Sequence, residues 1–382
     1  MLAVIADDFT GAAEIGGLAL RYGLSVEIAT AVPAASAVEV LIVSTDSRSM
    51  NKEEAWKITA DTLDKLLALK PVFIYKKIDS VLRGHVLAEL KIQLAKTGLE
   101  KALMVPANPS LGRTIVNGRY YLNGMPIHET SFSSDPEFAI KSSLVTDMVN
   151  DEQGEVIVLK PTEPLPVKGF AIGEVNNDEH VKIWASRTGN ETLLAGGGDF
   201  FMAVMEARGF NQIEQGSATE LVLGSPTLLV SGTSFTKSVA AIKALKNNGG
   251  PVFYMPVHGL ENAGQETEAD EISKHLTTDQ KAIVAIDNEA DMPAYTSALW
   301  LRKAMAKLVA AVFKKIAIGE LLVEGGSTAA AIIEELQCSR FYPTHELQRG
   351  AVRMRMKYFE NCHITIKPGS YDWPPQIERL YL

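Results

Sequence analysis

Cysteine is scarce in this 382-residue sequence: Cys338 and Cys362 are the two, far from any C-x-x-C pair or His spacing that would hold a metal. That excludes a disulfide framework and leaves two core or near-surface thiols in a reducing compartment. Long apolar runs are missing too; none approaches the roughly 20 residues a membrane helix needs. Positive charge is in deficit, with 37 Lys and Arg against 46 Asp and Glu and a formal net charge of -9. A chain that coats nucleic acid usually shows a basic face, so nucleic acid is not an expected partner. Small anions remain open, because a few Lys and Arg placed in a cleft bind a carboxylate or phosphate whatever the global charge. There is no G-x-G-x-x-G fingerprint and no local signature of a Ser-His-Asp or Cys-His constellation. The segment Ser231–Ser238 is not a Walker A loop, since Ser231 and Thr236 stand where that loop requires glycine. The N-terminus lacks the basic start and apolar run of a secretory leader, so the expectation is a cytoplasmic protein without a membrane partner.

What is present is ordinary globular composition, 46% hydrophobic and 22% charged, on a chain long enough for two domains. Short Val/Ile/Leu-rich runs recur at 2–6, 26–29, 40–43, 72–75, 102–105 and 156–159. They read as strands buried on both faces of a mostly parallel sheet. Helical patterns at 53–69 and 86–97 lie between them, the second ending before Gly98 as a cap. The stretch 107–150 is rich in Asn, Pro, Gly and Ser, with a hairpin expected around Asn123-Gly124. The strand rhythm restarts at 227–230, 252–255, 282–286, 321–323 and 363–366, with a long helix over 294–313. The sequence therefore predicts an α/β protein of two domains, each a mostly parallel sheet flanked by helices, with the boundary near 216–224.

Two charged motifs sit where an open parallel sheet places its ligands, at strand carboxyl ends. The first is Asp7-Asp8-Phe9-Thr10-Gly11 after the first strand. Adjacent carboxylates there are costly unless a cation or proton-transfer task uses them, although one Asp could simply cap the helix. A haloacid-dehalogenase phosphatase also begins with acidic residues after strand one, but its two Asp are separated by one residue. The second is Lys76-Lys77-Ile78-Asp79-Ser80-Val81-Leu82-Arg83-Gly84. Arg83 and Lys77 suit a substrate carboxylate, and Asp79 could orient or deprotonate a hydroxyl. Its plainer reading is a solvated charged turn; His85, next in line, reads as structural. Asn108 and Arg113, on the irregular segment, could contact a substrate or serve turn geometry alone. In the second half, Gly325-Gly326-Ser327-Thr328 follows a strand and opens an Ala-rich helix. Paired glycines and a helix N-terminus suit phosphate oxygens. The hydroxyl-rich turn with Ser234, and Gly369, could join that site.

Together, Asp7-Asp8-Phe9-Thr10-Gly11-Ala12 and Lys77–Gly84 resemble the four-carbon acid sugar kinase family, a likeness that continues through Pro106, Ala107, Arg113 and Gly118. The resemblance implies an N-terminal sugar-acid-binding domain (1–220) and a C-terminal nucleotide-binding domain (221–382). It implies ATP-dependent phosphorylation of the terminal hydroxyl of threonate, erythronate or a 3-oxo-tetronate, with Mg2+, in a cleft between domains. Asp8 and Asp79 would be catalytic. Asp7, Thr10, Gly11, Lys77, Ser80, Arg83 and Asn108 would bind the acid. Ser234, Gly325, Gly326, Ser327, Thr328 and Gly369 would bind ATP. A homodimer is compatible with this reading. Ser327 and Tyr371 depart from the family's nucleotide-site pattern, so a non-catalytic sugar-acid sensor on the same fold is the alternative.

Overall fold

Strands buried along their whole length set the architecture. The structure, a computed structural model, describes residues 1–135, 138–213, 221–255, 262–287, 297–369 and 371–378. The chain divides into two compact units, Met1–Ile213 and Glu214–Leu382.

The first unit begins with β1 (Leu2–Ala6), α1 (Phe9–Leu20), β2 (Val26–Ala29), β3 (Val40–Ser44) and α2 (Lys52–Ala68). β4 (Ile74–Lys77), α3 (Val86–Thr97) and β5 (Lys101–Val105) follow. A small antiparallel sheet comes next, of β6 (Arg113–Val116), β7 (Arg119–Leu122) and β8 (Met125–Pro126). After the short α4 (Val145–Met148), the main sheet resumes with β9 (Val156–Leu159) and β10 (Gly169–Gly173). α5 (Asp178–Ser186), β11 (Thr192–Gly196) and α6 (Gly198–Ala207) complete the unit.

Among the described residues, eight of these strands pair in parallel in the order β2-β3-β1-β4-β11-β5-β10-β9. β1 and β3 consist wholly of buried residues, which is why they read as unbroken apolar runs. From β1 the chain passes to β2 at the sheet edge, returns to β3 beside β1, and then crosses to β1's other side with β4. The topological switch therefore lies between β1 and β4.

β4 starts two residues later than its apolar run suggests and takes in Lys76 and Lys77. Successive strand residues face opposite sides. Lys76 is fully buried in an ion pair with Glu89 of α3, while Lys77 faces α1 and approaches Glu14 at 3.4 Å. β10 and β11, which the apolar pattern had not marked, begin or end in glycine and so look like turns in the sequence.

The second unit holds β12 (Thr227–Ser231), α7 (Thr236–Asn247), β13 (Val252–Tyr254), α8 (Asn262–Thr278) and β14 (Lys281–Ala285). α9 (Ala298–Lys315), β15 (Glu320–Glu324) and α10 (Gly326–Glu335) follow. β16 (Arg340–Gln348), β17 (Ala351–Met356), β18 (His363–Lys367) and α11 (Pro375–Glu378) end it.

Its strands run β13-β14-β12-β15-β18-β17-β16, parallel up to β18 and antiparallel through β17 and β16. Here the switch lies between β12 and β15. A core of Leu229, Ile242, Val252, Ile283, Leu322 and Trp373 packs against it. Of the helix expected over 294–313, residues 294–296 fall outside the described residues, as do 216–220 of the expected boundary and Ser370. Among the described residues, no helix is long and apolar enough to cross a membrane. Both cysteines are buried and free.

Candidate active site

The strand ends at the first switch gather charge. Asp7 and Asp8 end the turn after β1. Asp8 has extended backbone and caps α1, its Oδ1 accepting from the Gly11 amide at 2.8 Å and its Oδ2 from Thr10 Oγ1 at 2.5 Å. A Cβ on residue 11 would stand 2.7 Å from Asp8 Oδ1, so only glycine lets the carboxylate seat on the helix end. The capping and ligand-site readings of this motif are thus not exclusive: Asp8 caps with one face and meets Arg48 with another.

Arg48, on the short turn Ser47–Ser49 after β3, is the centre of the cluster. Its Nε donates to Asp7 Oδ2 at 2.9 Å and its Nη2 to Asp7 Oδ1 at 3.0 Å. Its Nη1 donates to Asp8 Oδ2 at 2.9 Å and lies 3.5 Å from Asp79 Oδ1. One guanidinium therefore compensates three carboxylates from two strand ends, which a Lys point charge could not do with this geometry. Gly84 (φ 89°) makes room for it, since a Cβ there would come within 3.1 Å of Arg48 Cγ. Leu82 in the same turn also has positive φ (62°), a strained setting for a buried leucine.

Asp79 organises that turn. It accepts from the amides of Val81 and Arg83 at 3.3 and 3.2 Å, and its two oxygens take Arg83 Nε and Nη2 at 2.8 and 3.0 Å. Arg83 Nη1 donates to Asp135 at 2.9 Å, and the guanidiniums of Arg83 and Arg113 stand 5.6 and 5.8 Å from the centre of the Phe132 ring. Ser80 Oγ accepts from Arg113 Nη1 at 2.5 Å, and the Ser80 carbonyl accepts from the Tyr120 hydroxyl. Lys77 Nζ donates to the Ile78 carbonyl at 3.0 Å. His85 binds the Met50 carbonyl at 2.8 Å, a structural contact as expected.

Burial opposes ionisation of all three central carboxyls. At Asp7 burial prevails over Arg48 and holds the carboxyl above its ordinary value. At Asp8 burial is outweighed by Arg48, Lys77 and the two cap hydrogen bonds, and at Asp79 it is outweighed by Arg83 and Arg48. Asp8 thus sits below, and Asp79 far below, the usual carboxylate range.

Asn108 stands farther along the same sheet edge, after β5. Its Oδ1 accepts from the Asp199 amide at 2.9 Å in the first turn of α6, while its buried Nδ2 has no hydrogen-bond partner among the described residues. Asp199 in turn accepts from the Ser110 amide and hydroxyl at 3.0 and 2.8 Å. Gly197 permits this approach, because a Cβ there would meet Asn108 Oδ1 at 2.6 Å. Neither Arg48 nor the Gly196–Asp199 turn was singled out in the sequence. Their signal is positional: each follows a strand of the same parallel sheet.

At the second switch the strand ends gather glycine and hydroxyl. Gly232, Gly325 and Gly369 follow β12, β15 and β18. A Cβ on Gly232 would overlap Thr328 Oγ1 at 1.9 Å, and one on Gly369 would stand 2.4 Å from Thr233 Oγ1. Gly325 (φ 109°) precedes α10, whose first turn has no side-chain cap. The amides of Gly326, Ser327 and Thr328 open that helix; Ser327 is exposed and Thr328 buried. Beneath them lies Glu324, fully buried. It accepts from Ser231 Oγ at 2.9 Å, Ser238 Oγ at 2.5 Å and Lys367 Nζ at 2.5 Å, tying the three turns together. Burial lowers the Lys367 ammonium despite that partner. Ser234 is exposed on the turn after Gly232. Beside it, Thr233, Val239, Ile242, Tyr254, Ala285 and Ile286 line an open pocket.

A family model described as a sugar-binding N-terminal domain matches residues 2–239. The chain belongs to that family. A D-threonate kinase of Salmonella typhimurium is 35% identical over 150 residues, 38% of this chain and 35% of the relative. A D-erythronate kinase of Heliobacterium modesticaldum is 33% identical over 152 residues, again 38% of this chain and 35% of the relative. These alignments span about a third of the relatives' own length. A 3-oxo-tetronate kinase of Actinobacillus succinogenes aligns over 97% of this chain and 96% of its own length at 22% identity. The kinship expected from the two N-terminal motifs is thereby borne out.

The fold is shared with solved proteins of Salmonella typhimurium and Haemophilus influenzae. Their TM-scores are 0.77 and 0.70, each at 18% identity, covering 100% of this chain and 97% and 100% of theirs. The sugar-binding domain match contains the whole first cluster, from Asp7 to Asp199, whereas Gly325–Thr328 and Gly369 lie beyond it.

Proposed function

We propose that this protein is an ATP-dependent kinase that phosphorylates the terminal hydroxyl of a four-carbon sugar acid: threonate, erythronate or a 3-oxo-tetronate. The observation that carries the reading is the pair of switch points. One is built from placed carboxylates and cations suited to a hydroxy acid, the other from glycines at a helix N-terminus suited to phosphates. The names of the relatives point the same way.

In the first unit, Arg83 and Lys77 provide charge for the acid's carboxylate, with Ser80 and Asn108 as hydrogen-bonding neighbours. Thr10 and Gly11 hold Asp8 in place, and Asp7 fixes Arg48. Asp8 is the carboxylate best placed to take the hydroxyl proton. Its side chain is 15% exposed, against 5% for Asp7 and 8% for Asp79. Asp79, with both oxygens committed to Arg83, orders the turn instead. The hydroxyl oxygen forms the new bond to the γ-phosphorus, the bond to the β-phosphate oxygen breaks, ADP leaves, and the proton goes to Asp8. A low Asp8 basicity is compatible with this, because phosphoryl transfer rests chiefly on positioning and charge stabilisation.

In the second unit, Gly325, Gly326, Ser327 and Thr328 would cradle phosphates with Gly369 and Ser234 beside them. Among the described residues, no group of three or more His, Cys, Asp or Glu side chains could hold a metal ion. Those residues offer no all-protein cage for Mg2+, an ion that commonly keeps several waters and binds through substrate phosphates.

A coupled ADP-release assay with Mg-ATP tests the proposal against D- and L-threonate, D- and L-erythronate and their 3-oxo forms. Turnover with one acid and none without acid is expected. ATP consumption that ignores every acid, or none at all, rejects the kinase.

A further inference from the structure

The first cluster is close to electrically balanced before any ligand arrives. Asp7, Asp8, Asp79, Asp135 and Glu14 bring five carboxyl groups, and Arg48, Lys77, Arg83 and Arg113 bring four cations. Three of these cations, Arg48, Lys77 and Arg83, are already engaged by carboxylates of the chain, so an entering carboxylate that takes one of them competes with a partner in place. Four of the five acids stand on or beside regular elements: Asp7, Asp8 and Asp79 after strand ends and Glu14 within α1, with side chains 5, 15, 8 and 12% exposed. Asp135 differs. It follows the single turn Ser131–Ser134, outside the parallel sheet, and its side chain is 23% exposed.

Arg83 presents two edges. Its Nε and Nη2 are committed to Asp79. Asp135 Oδ2 sits on Nη1 at 2.9 Å, on the remaining edge, where a second carboxylate would make its contact. Phe132 of the same turn stacks near the guanidinium at 5.6 Å, so cation–π contact holds Arg83 in that orientation without supplying negative charge.

We propose that Asp135 is a specificity-determining residue: its carboxylate occupies the Arg83 position that the acid substrate's carboxylate takes, and binding exchanges one for the other. This rests on the sugar-acid reading of the first unit. The internal carboxylate sets a threshold. A ligand without a carboxylate has nothing to exchange, leaves the Arg83–Asp135 pair intact and gains no ion pair. A carboxylate ligand replaces a pair already made, so its net gain is small and its affinity is set by how well the rest of the molecule fits.

Asp135→Asn removes the charge and keeps an oxygen to accept from the Phe138 amide, which Asp135 Oδ1 holds at 2.9 Å. Calorimetric titration with D-threonate, D-erythronate and the uncharged polyol threitol, on wild type and variant, tests the proposal. The variant should bind the acid that the wild type binds roughly fivefold more tightly, the scale of losing one part-exposed competing ion pair, with threitol binding unmoved. Should that variant melt well below the wild type, Asp135→Ser, which also retains an acceptor, carries the same expectation. Equal or weaker acid binding in the variants, with wild-type binding intact, overturns the role of Asp135 and leaves the kinase standing. Equal tightening toward threitol also overturns it, as the sign of a merely loosened turn. Failure of the wild type to bind either acid, and equally the L-isomers and 3-oxo forms of the turnover panel, overturns this inference and the sugar-acid reading together.

Discussion

The two switch points solve the same positional problem with opposite materials. In the first unit the strand ends carry charge, and side chains do the work: Arg48 and Arg83 share Asp7, Asp8, Asp79 and Asp135. In the second the surface is glycine and hydroxyl, and the charge is beneath it, in the buried pair Glu324–Lys367. Side-chain charge in fixed geometry distinguishes a carboxylate beside hydroxyls. Backbone amides freed by glycine suit phosphate oxygens, which ask for many donors at close approach. The two halves are therefore fragile in different places. The first depends on charge balance, the second on the absence of a few methyl groups.

Breaking the charge balance should have the largest effect. Arg48→Ala leaves two buried carboxylates and a third neighbour without their shared cation. We expect a loss of about 3–5 kcal/mol in urea unfolding, with Arg48→Lys recovering little of it. A loss below about 1 kcal/mol would show that the carboxyls do not need the arginine.

The matching change in the second unit is Glu324→Gln, which leaves the Lys367 charge buried without its counter-ion. About 2–3 kcal/mol should be lost, together with stabilisation by ATP but not by acid, as read by thermal shift. Gly369→Ala sharpens the contrast. The added methyl meets Thr233 and should cost about 1–2 kcal/mol in stability while weakening ATP far more than acid. Equal loss of both ligands in either variant would blur the division of labour.

The smallest expected effect is on the slope of the acid limb of the stability curve, and it concerns Asp79. Its folded carboxyl is held far below the unfolded value, so its contribution is fully present above about pH 4 and is lost as pH falls toward the folded value. Wild-type stability should decline below about pH 4. Asp79→Asn should show a shallower decline in acid denaturation, and a parallel curve would argue against the pairing with Arg83.

Much of the fold was legible because burial on both faces leaves strands as unbroken apolar runs, as in Leu2–Ala6 and Val40–Ser44. β4 was misplaced by two residues because Lys76 hides its charge against Glu89, a partner on another element. β16 is not marked in the sequence because Pro343, His345 and Glu346 interrupt any apolar run, whereas it is an antiparallel strand with register shifts. The site was legible where its residues cluster in sequence, as in Asp7–Gly11 and Lys77–Gly84. Arg48 was not, since its partners lie 41 and 40 residues back and no local pattern marks a single arginine on a short turn. Glu324 was hidden similarly, looking like the last residue of a strand until Ser231, Ser238 and Lys367 were seen to converge on it.

Hydrogen exchange on the full chain, with D-threonate or D-erythronate added alone and ATP added alone, tests the division between the two switch points most directly. The acid should protect amides in 8–14, 45–50 and 78–86 and leave the second unit unchanged, while ATP should protect 232–238, 325–330 and 367–369. Protection by the acid in the glycine turns, or by ATP around Asp7–Gly11, would contradict the account.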